Sequence, residues 1–114
     1  MSTDMEPALA KALDAMWVRF LPEMKERVQV LETTAAEFAA GELSEDGQAA
    51  ANTAAHKLAG VLGTFGLTRG TVLARELELM YSRENDEDAE PDPAFTAKLA
   101  QIAAELRTIV ENRK

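Results

Sequence analysis

Residues 49–67 read AAANTAAHKLAGVLGTFGL, and their spacing predicts one amphipathic helix. At about 100° per residue, seven apolar side chains fall on one stripe that would face a core, namely Ala51, Ala54, Ala55, Leu58, Val61, Leu62 and Phe65. His56, the only histidine in the chain, precedes Leu58 by two residues and so lies nearly opposite this stripe. We predict that its ring points toward solvent or a partner.

The face around His56 is made of small residues, among them Ala49, Asn52, Thr53, Gly60 and Gly63. A glycine inside a helix costs roughly 1 kcal/mol relative to alanine, so two glycines run against local propensity. Gly60 lies one turn after His56, where any side chain would stand beside the imidazole. The pattern indicates a helix that leaves one ring uncovered.

These residues carry a resemblance to a known family. His56-Lys57-Leu58-Ala59-Gly60, Gly63-Thr64-Phe65-Gly66-Leu67, Leu73-Ala74 and Leu77-Glu78 resemble a histidine-containing phosphotransfer (HPt) domain. The family pattern is a phospho-accepting His, an aliphatic residue two later, Gly four later, a second Gly that ends the helix, and a following helix that closes with Leu-Glu. The family often has Lys three residues after the His, where this chain has Ala59, with Lys57 directly after the His instead.

The resemblance implies that His56 accepts a phosphoryl group from a receiver-domain aspartate, or from a histidine kinase, and passes it to another receiver aspartate. A neutral imidazole has a nitrogen lone pair that can attack an acyl phosphate. Magnesium and a lysine would come from the partner receiver domain, so no cofactor is expected on this chain. With no phosphate-binding loop, the chain should not phosphorylate itself from ATP.

Other polar residues near His56 are weaker candidates. Lys57 flanks the ring and would help to neutralise a phosphoryl group, although a solvated surface lysine is an equal alternative. Asn52, one turn before His56, is positioned to hydrogen-bond the ring or phosphoryl oxygens, or to be a plain surface residue. Gly63 keeps the face open or serves helix packing.

Composition limits the function classes. The chain of 114 residues is expected to form one domain, 1–114, and it has no cysteine, which excludes disulfides and zinc-cysteine sites. A formal charge of −8 argues against nucleic acid and anionic lipid as partners. The N-terminal residues lack a signal-peptide pattern and no stretch is apolar enough to span a bilayer, so we expect no membrane association and a cytoplasmic location.

Helical spacing covers most of the chain, with no period-two alternation typical of strands. A short helix from Pro7 is expected to break at Leu21-Pro22, since the residue before proline is disfavoured in a helix, and a second helix would run from Pro22 to Gly41. Ser44 would cap the helix that carries His56, and Gly66 would close it. Two further helices are expected after Thr68 and from Pro93.

The fold prediction is therefore an all-α, antiparallel up-down four-helix bundle with an additional short N-terminal helix, expected to be a monomer. Trp17, Phe20, Phe38, Phe65 and the methionines are predicted to pack in its core. The acidic segment 84–92 is predicted to be a solvated loop. Its alternating Asp86, Asp88 and Glu90 do not form a calcium loop, because the positions that need Gly and Glu hold Pro91 and Ala97.

Two alternatives to a phosphorelay intermediate stay open. One is an HPt-like module that docks a response regulator without carrying phosphate, and the other is a self-associating helical bundle. A hydrolase or an oxidoreductase is disfavoured, since one His with no Cys and no convergent carboxylates facing His56 makes no evident catalytic constellation.

Overall fold

A computed structural model of the protein describes residues 5–82 and 93–113. Within these ranges the chain forms four helices and no strand: α1 Met5–Ala39, α2 Glu45–Thr64, α3 Thr68–Met80 and α4 Pro93–Asn112. Each helix packs against two neighbours, in the cyclic order α1, α2, α3, α4. Phe38 near the end of α1 meets Phe95 near the start of α4, with ring centroids 5.5 Å apart, so these two helices run antiparallel. The predicted all-α bundle is confirmed.

The predicted break at Pro22 is wrong, and there is no separate short N-terminal helix in the described chain. Pro22 lies inside the continuous helix α1. The reason is an apolar stripe that crosses the proline without a change of period, in steps of four, three, four, three and four residues: Trp17, Leu21, Met24, Val28, Leu31 and Ala35. Burial of this stripe outweighs the local preference of Leu21 against the helical region. A proline inside a helix costs about 3 kcal/mol through one lost backbone hydrogen bond and a ring clash, whereas the stripe buries several large apolar side chains.

The other helix boundaries follow local chemistry. The Ser44 hydroxyl accepts a hydrogen bond from the Gly47 amide at 3.0 Å and caps α2. Gly66, with φ +72°, turns the chain after α2, and the Leu67 amide then donates to the Leu62 carbonyl at 2.9 Å. Pro93 is the first residue of α4, as predicted. The predicted acidic loop, 84–92, lies outside the described residues.

The core is assembled from all four helices. Its fully buried large side chains are Met24, Val28 and Leu31 of α1, Leu58 and Leu62 of α2, Leu77 of α3, and Leu99, Leu106 and Val110 of α4. Trp17 and Phe65 are buried too, and their rings meet edge to face at 5.0 Å. The prediction that Phe20 and all methionines are core residues is wrong, because Phe20 and Met16 are each 37% exposed on the flank of α1.

The N-terminal part of α1 extends past the end of α2. Trp17 is level with Phe65, which follows the last residue of α2, and Arg113 at the end of α4 reaches Asp14 at 3.0 Å. Residues 7–12, further toward the start of α1, are all exposed. In the part of the chain that the structure describes, no helix combines the length and the apolar character needed to cross a membrane.

Candidate functional site

His56 lies at the middle of α2 on its outer face. The neighbouring Ala55 and Leu58 are fully buried, whereas 68% of the His56 side chain is exposed. This contrast follows from the helical period, because a residue two positions from the centre of the buried stripe points away from it. The ring is therefore held on a rigid element and is open to approach from outside.

Glu78 of α3 binds the ring from the side. The His56 Nδ1 atom lies 2.9 Å from the Glu78 Oε2 atom, and the Glu78 side chain is 27% exposed. An ionised carboxylate can only accept hydrogen bonds, so the ring donates from Nδ1–H. In the neutral ring, Nε2 then carries the lone pair. Among the described residues the ring makes no second hydrogen bond, so the contact leaves Nε2 available as a nucleophile on the exposed side.

Asn52 takes a different place from the one expected. Its Nδ2 atom donates to the main-chain carbonyl of Glu78 at 2.7 Å, rather than to the ring of His56. Because a carbonyl only accepts, the amide orientation of Asn52 is fixed by this contact. Asn52 and His56, one turn apart on α2, thus bind the same residue of α3.

The two glycines on the outer face have different surroundings. A Cβ atom added at Gly60 would meet no heavy atom within 4 Å, so packing does not require glycine there. At Gly63 an added Cβ would lie 3.5 Å from the Thr71 hydroxyl, an ordinary contact with α3. Gly60 is therefore the position where a glycine has no packing role and stands beside the exposed ring.

A groove runs between α1 and α2, on the side of α2 that faces away from α3. It is lined by the apolar side chains of Met16, Phe20, Val61 and Phe65, by Gly60 and Thr64, and by the cationic side chains of Arg27 and Lys57. Lys57 directly follows His56 and is exposed, so its ammonium group belongs to the rim of the groove. Apolar surface and positive charge therefore lie together next to the histidine.

Several of these site features were not identified as such from the sequence. Glu78 stood out only as the last residue of a Leu-Glu pair, and the expectation that no carboxylates face His56 is wrong for this residue. Its contact with His56 depends on how α3 packs on α2. Phe20 and Met16 have core spacing on α1, but the side of α1 on which they lie faces a gap beside α2. A signal existed for Glu78, because it follows buried Leu77 by one position and so must lie on the flank of α3.

No metal site is evident in the described chain. Within residues 5–82 and 93–113, no three His, Asp or Glu side chains cluster so as to hold a metal ion. The acidic segment around Asp86, Asp88 and Glu90, which is predicted not to bind calcium, lies outside these ranges.

Comparison with known proteins gives a family match over most of the chain. The family model described as "Hpt domain" matches residues 15–112. A curated relative, Protein RcaC of Microchaete diplosiphon, is 36% identical over 66 residues, which cover 58% of this chain and 10% of that protein. The matched segment is thus a small part of that relative's length. No solved structure matches the chain.

Proposed function

The chain belongs to the Hpt domain family, and on that premise we propose that it is a phosphorelay intermediate in which His56 carries the phosphoryl group. Family membership implies histidine phosphotransfer in two-component signalling. Hpt domains are phosphocarrier modules rather than kinases, and they interact with receiver domains and kinases. The phosphoryl group would come from a receiver aspartate or a kinase and would leave to another receiver aspartate.

The observation that supports this role most strongly is the state of the His56 ring. Its Nδ1 is bound to Glu78 at 2.9 Å and its side chain is 68% exposed, so Nε2 is the ring nitrogen left for an incoming partner. In the transfer step the Nε2 lone pair attacks phosphorus, the P–N bond forms, and the bond from phosphorus to the acyl oxygen breaks. The aspartate leaves as a carboxylate.

Glu78 has a second effect on this step. The proton stays on Nδ1, so the phosphorylated ring carries a positive charge, and the adjacent carboxylate stabilises that charge. For the onward step the carboxylate of the next aspartate attacks phosphorus and the P–N bond breaks. The neutral imidazole leaves with its lone pair restored on Nε2, and Nδ1 keeps its proton throughout.

Docking would use the face around His56. Phe20 and Met16 offer partly exposed apolar surface in the groove beside the ring, and Lys57 and Arg27 add positive charge there. A receiver domain presents carboxylates around its phosphorylated aspartate, so the cations would favour its approach. Gly60 leaves room for the partner to reach Nε2, because nothing on position 60 projects over the ring.

Magnesium would be held by the receiver partner, and this chain would need no cofactor of its own. Transfer by positioning and charge stabilisation suits a carrier with one reactive side chain. We expect the carrier to act as a monomer in the cytoplasm.

The direct test is phosphotransfer. The protein is incubated with phosphorylated receiver domains, and acid-labile, base-stable phosphate on it is followed over time, with His56→Gln as the control. Transfer to the wild-type chain that disappears in folded His56→Gln would support the proposal. A folded wild-type chain that binds a phosphorylated receiver yet takes no phosphate from it or from a kinase would point instead to a docking module that carries no phosphate.

A further inference from the structure

Three side chains of α2 join it to the C-terminal part of α3. They are Gln48, Asn52 and His56, spaced by one turn each, which places them on one side of α2. Gln48 Nε2 donates to the Tyr81 carbonyl at 3.1 Å, Asn52 Nδ2 donates to the Glu78 carbonyl at 2.7 Å, and His56 Nδ1 meets the Glu78 carboxylate at 2.9 Å. Asn52 and His56 therefore bind the main chain and the side chain of one residue.

The Glu78 carbonyl lies where a helix end needs outside donors. α3 ends at Met80, so Glu78 is in its last turn, where carbonyls run out of intrahelical amides. The Ser82 amide, four residues later, donates to the Leu79 carbonyl at 3.1 Å. The Asn52 amide thus supplies a donor to the main chain of the residue that orients the histidine.

We propose that Asn52 is a positioning residue that selects the protonation form of His56 through Glu78. Asn52 holds the Glu78 main chain against α2. This contact fixes the position of the Glu78 Cα atom, from which the flexible side chain must reach Nδ1 of His56. The carboxylate keeps the proton on Nδ1, and Nε2 stays unprotonated and exposed. The effect of Asn52 on phosphotransfer rests on the proposed function. Its effect on which nitrogen of His56 carries the proton depends only on the contacts of Asn52 and His56 with Glu78.

A plain capping role for Asn52 makes a different prediction. As a cap, Asn52 would stabilise the end of α3, and its removal would lower the melting temperature without any change at His56. Gln48 is the matched control, because it makes the same kind of amide-to-carbonyl bond three residues further along, at Tyr81. Each change removes an amide-to-carbonyl hydrogen bond to the end of α3, but only Asn52 bonds to Glu78.

The experiment is nitrogen-15 NMR of the imidazole ring. His56 is the only histidine of the chain, so both imidazole nitrogen signals belong to it, and their different couplings to the carbon-bound ring protons distinguish Nδ1 from Nε2. Spectra of the full chain are recorded at a pH where the ring is neutral, for wild type, Asn52→Ala, Gln48→Ala and Glu78→Gln, with thermal unfolding of each. We expect Nδ1–H to dominate in wild type and in Gln48→Ala, and a mixture of the two forms in Asn52→Ala and Glu78→Gln.

Transfer rates supply the second readout. Loss of one hydrogen bond of ordinary strength predicts a fall of about three- to tenfold in the rate for Asn52→Ala, with Gln48→Ala near wild type. Asn52→Asp should not restore the rate, because a carboxylate cannot donate to the Glu78 carbonyl. If the nitrogen-15 chemical shifts of the ring in Asn52→Ala match those of wild type, the proposal is overturned. It is also overturned if Gln48→Ala changes these shifts as much as Asn52→Ala does.

The proposed function can fail on its own. If the wild-type chain accepts no phosphate but its ring form responds to Asn52→Ala and not to Gln48→Ala, positioning by Asn52 stands and the relay role does not. If transfer is rapid and the ring form ignores Asn52, the relay role stands and the positioning role is refuted.

Discussion

The Nδ1 atom of His56 and the Oε2 atom of Glu78 lie 2.9 Å apart across the interface of α2 and α3. This contact gives one ring nitrogen a fixed proton and leaves the other for chemistry. It also places a negative charge next to a ring that becomes positive on phosphorylation. Both effects belong to the carboxylate and not to the shape of the side chain.

Replacement of Glu78 by Gln should therefore slow phosphotransfer while the fold is kept. The amide has the same shape, but it can donate or accept and carries no charge, so it neither selects Nδ1–H nor stabilises the phosphorylated ring. A hydrogen bond to a charged group is worth about 1.5–3 kcal/mol, which corresponds to a fall of roughly ten- to hundredfold in rate. Single-turnover transfer from a phosphorylated receiver domain measures it.

The control for that change is Glu76→Gln. Glu76 lies on the same helix but pairs with Lys98 of α4 at 2.6 Å, away from His56. Its replacement removes the same charge from α3 and should leave the transfer rate near wild type. Equal rates for Glu78→Gln and wild type would contradict the role assigned to Glu78.

Gly60 tests access to the ring. A side chain at position 60 meets no atom within 4 Å at its Cβ, so Gly60→Gln should fold and gain about 0.5–1 kcal/mol of stability from helix propensity. The long side chain would stand one turn from His56 and crowd the approach of a receiver domain, so transfer should be blocked. Urea unfolding and transfer kinetics measure the two effects separately.

Gly60→Ala is the graded partner of that variant. It gains at least as much helix propensity but adds only one methyl group, so its transfer rate should lie between wild type and Gly60→Gln. If Gly60→Gln is more stable and transfers at the normal rate, the glycine does not serve access.

Phe20 tests the groove as a docking surface. Its ring is 37% exposed and lines the groove together with Gly60 and Lys57. Truncation of an aromatic anchor at an interface centre typically costs about 2 kcal/mol, so Phe20→Ala should weaken receiver binding by roughly thirtyfold. Calorimetric titration in a His56→Gln background separates docking from chemistry.

Val18→Ala is the matched control for Phe20. Val18 is 68% exposed on the same helix and does not line the groove, so its truncation should leave binding unchanged. Thermal unfolding of both variants checks that each keeps its fold. Unchanged affinity in folded Phe20→Ala would place docking elsewhere on the surface.

An ion pair between α1 and α4 predicts the response of stability to acid. Arg107 Nε and Nη2 each donate at 2.7 Å to one carboxylate oxygen of Glu32. The hydrogen bond from Arg107 lowers the pKa of Glu32 below the ordinary value of 4.5. Because the pKa is lower in the folded state, the carboxylate stabilises the fold at any pH above its ordinary pKa. This contribution is lost as the pH falls through the folded-state pKa.

Glu32→Gln should therefore lose about 1 kcal/mol at pH 7, a modest amount because the pair is partly solvated. Below the lowered pKa the wild-type chain has lost the same contribution, so the two unfolding free energies should converge. Glu111→Gln, which removes the other partner of Arg107 within α4, should cost less. A constant difference between Glu32→Gln and wild type from pH 7 to strong acid would refute the linkage.

The sequence predicts those features that depend on neighbours along the chain. The Ser44 cap, the left-handed Gly66 and the start of α4 at Pro93 all satisfy local hydrogen-bond or dihedral requirements. The outward position of His56 follows from the helical period of α2. The contact with Glu78 and the groove at Phe20 depend on which faces of α1 and α3 lie beside α2. No pattern of neighbouring residues along the chain predicts how these helices pack.

Pro22 is the opposite case, because tertiary packing overrides a local rule there. The rule that the residue before proline leaves the helical region is a preference of limited strength. The apolar stripe from Trp17 through Leu21 to Met24 keeps its period across the proline, and each of these residues packs in or against the core. The unbroken apolar period across the proline favours one helix.

Pro22→Ala distinguishes one continuous helix from two. Pro22 is exposed in the interior of α1, so alanine would restore a backbone donor toward the Val18 carbonyl and remove a ring that crowds it, without loss of core contacts. Proline costs about 3 kcal/mol relative to alanine inside a helix, so the variant should gain about 1–3 kcal/mol in urea unfolding. Pro7→Ala is the control, because Pro7 lies in the first turn of α1, where the amide needs no partner and proline is tolerated. If Pro22 instead began a second helix, both substitutions would be nearly neutral, and equal stabilities for Pro22→Ala and Pro7→Ala would contradict a continuous α1.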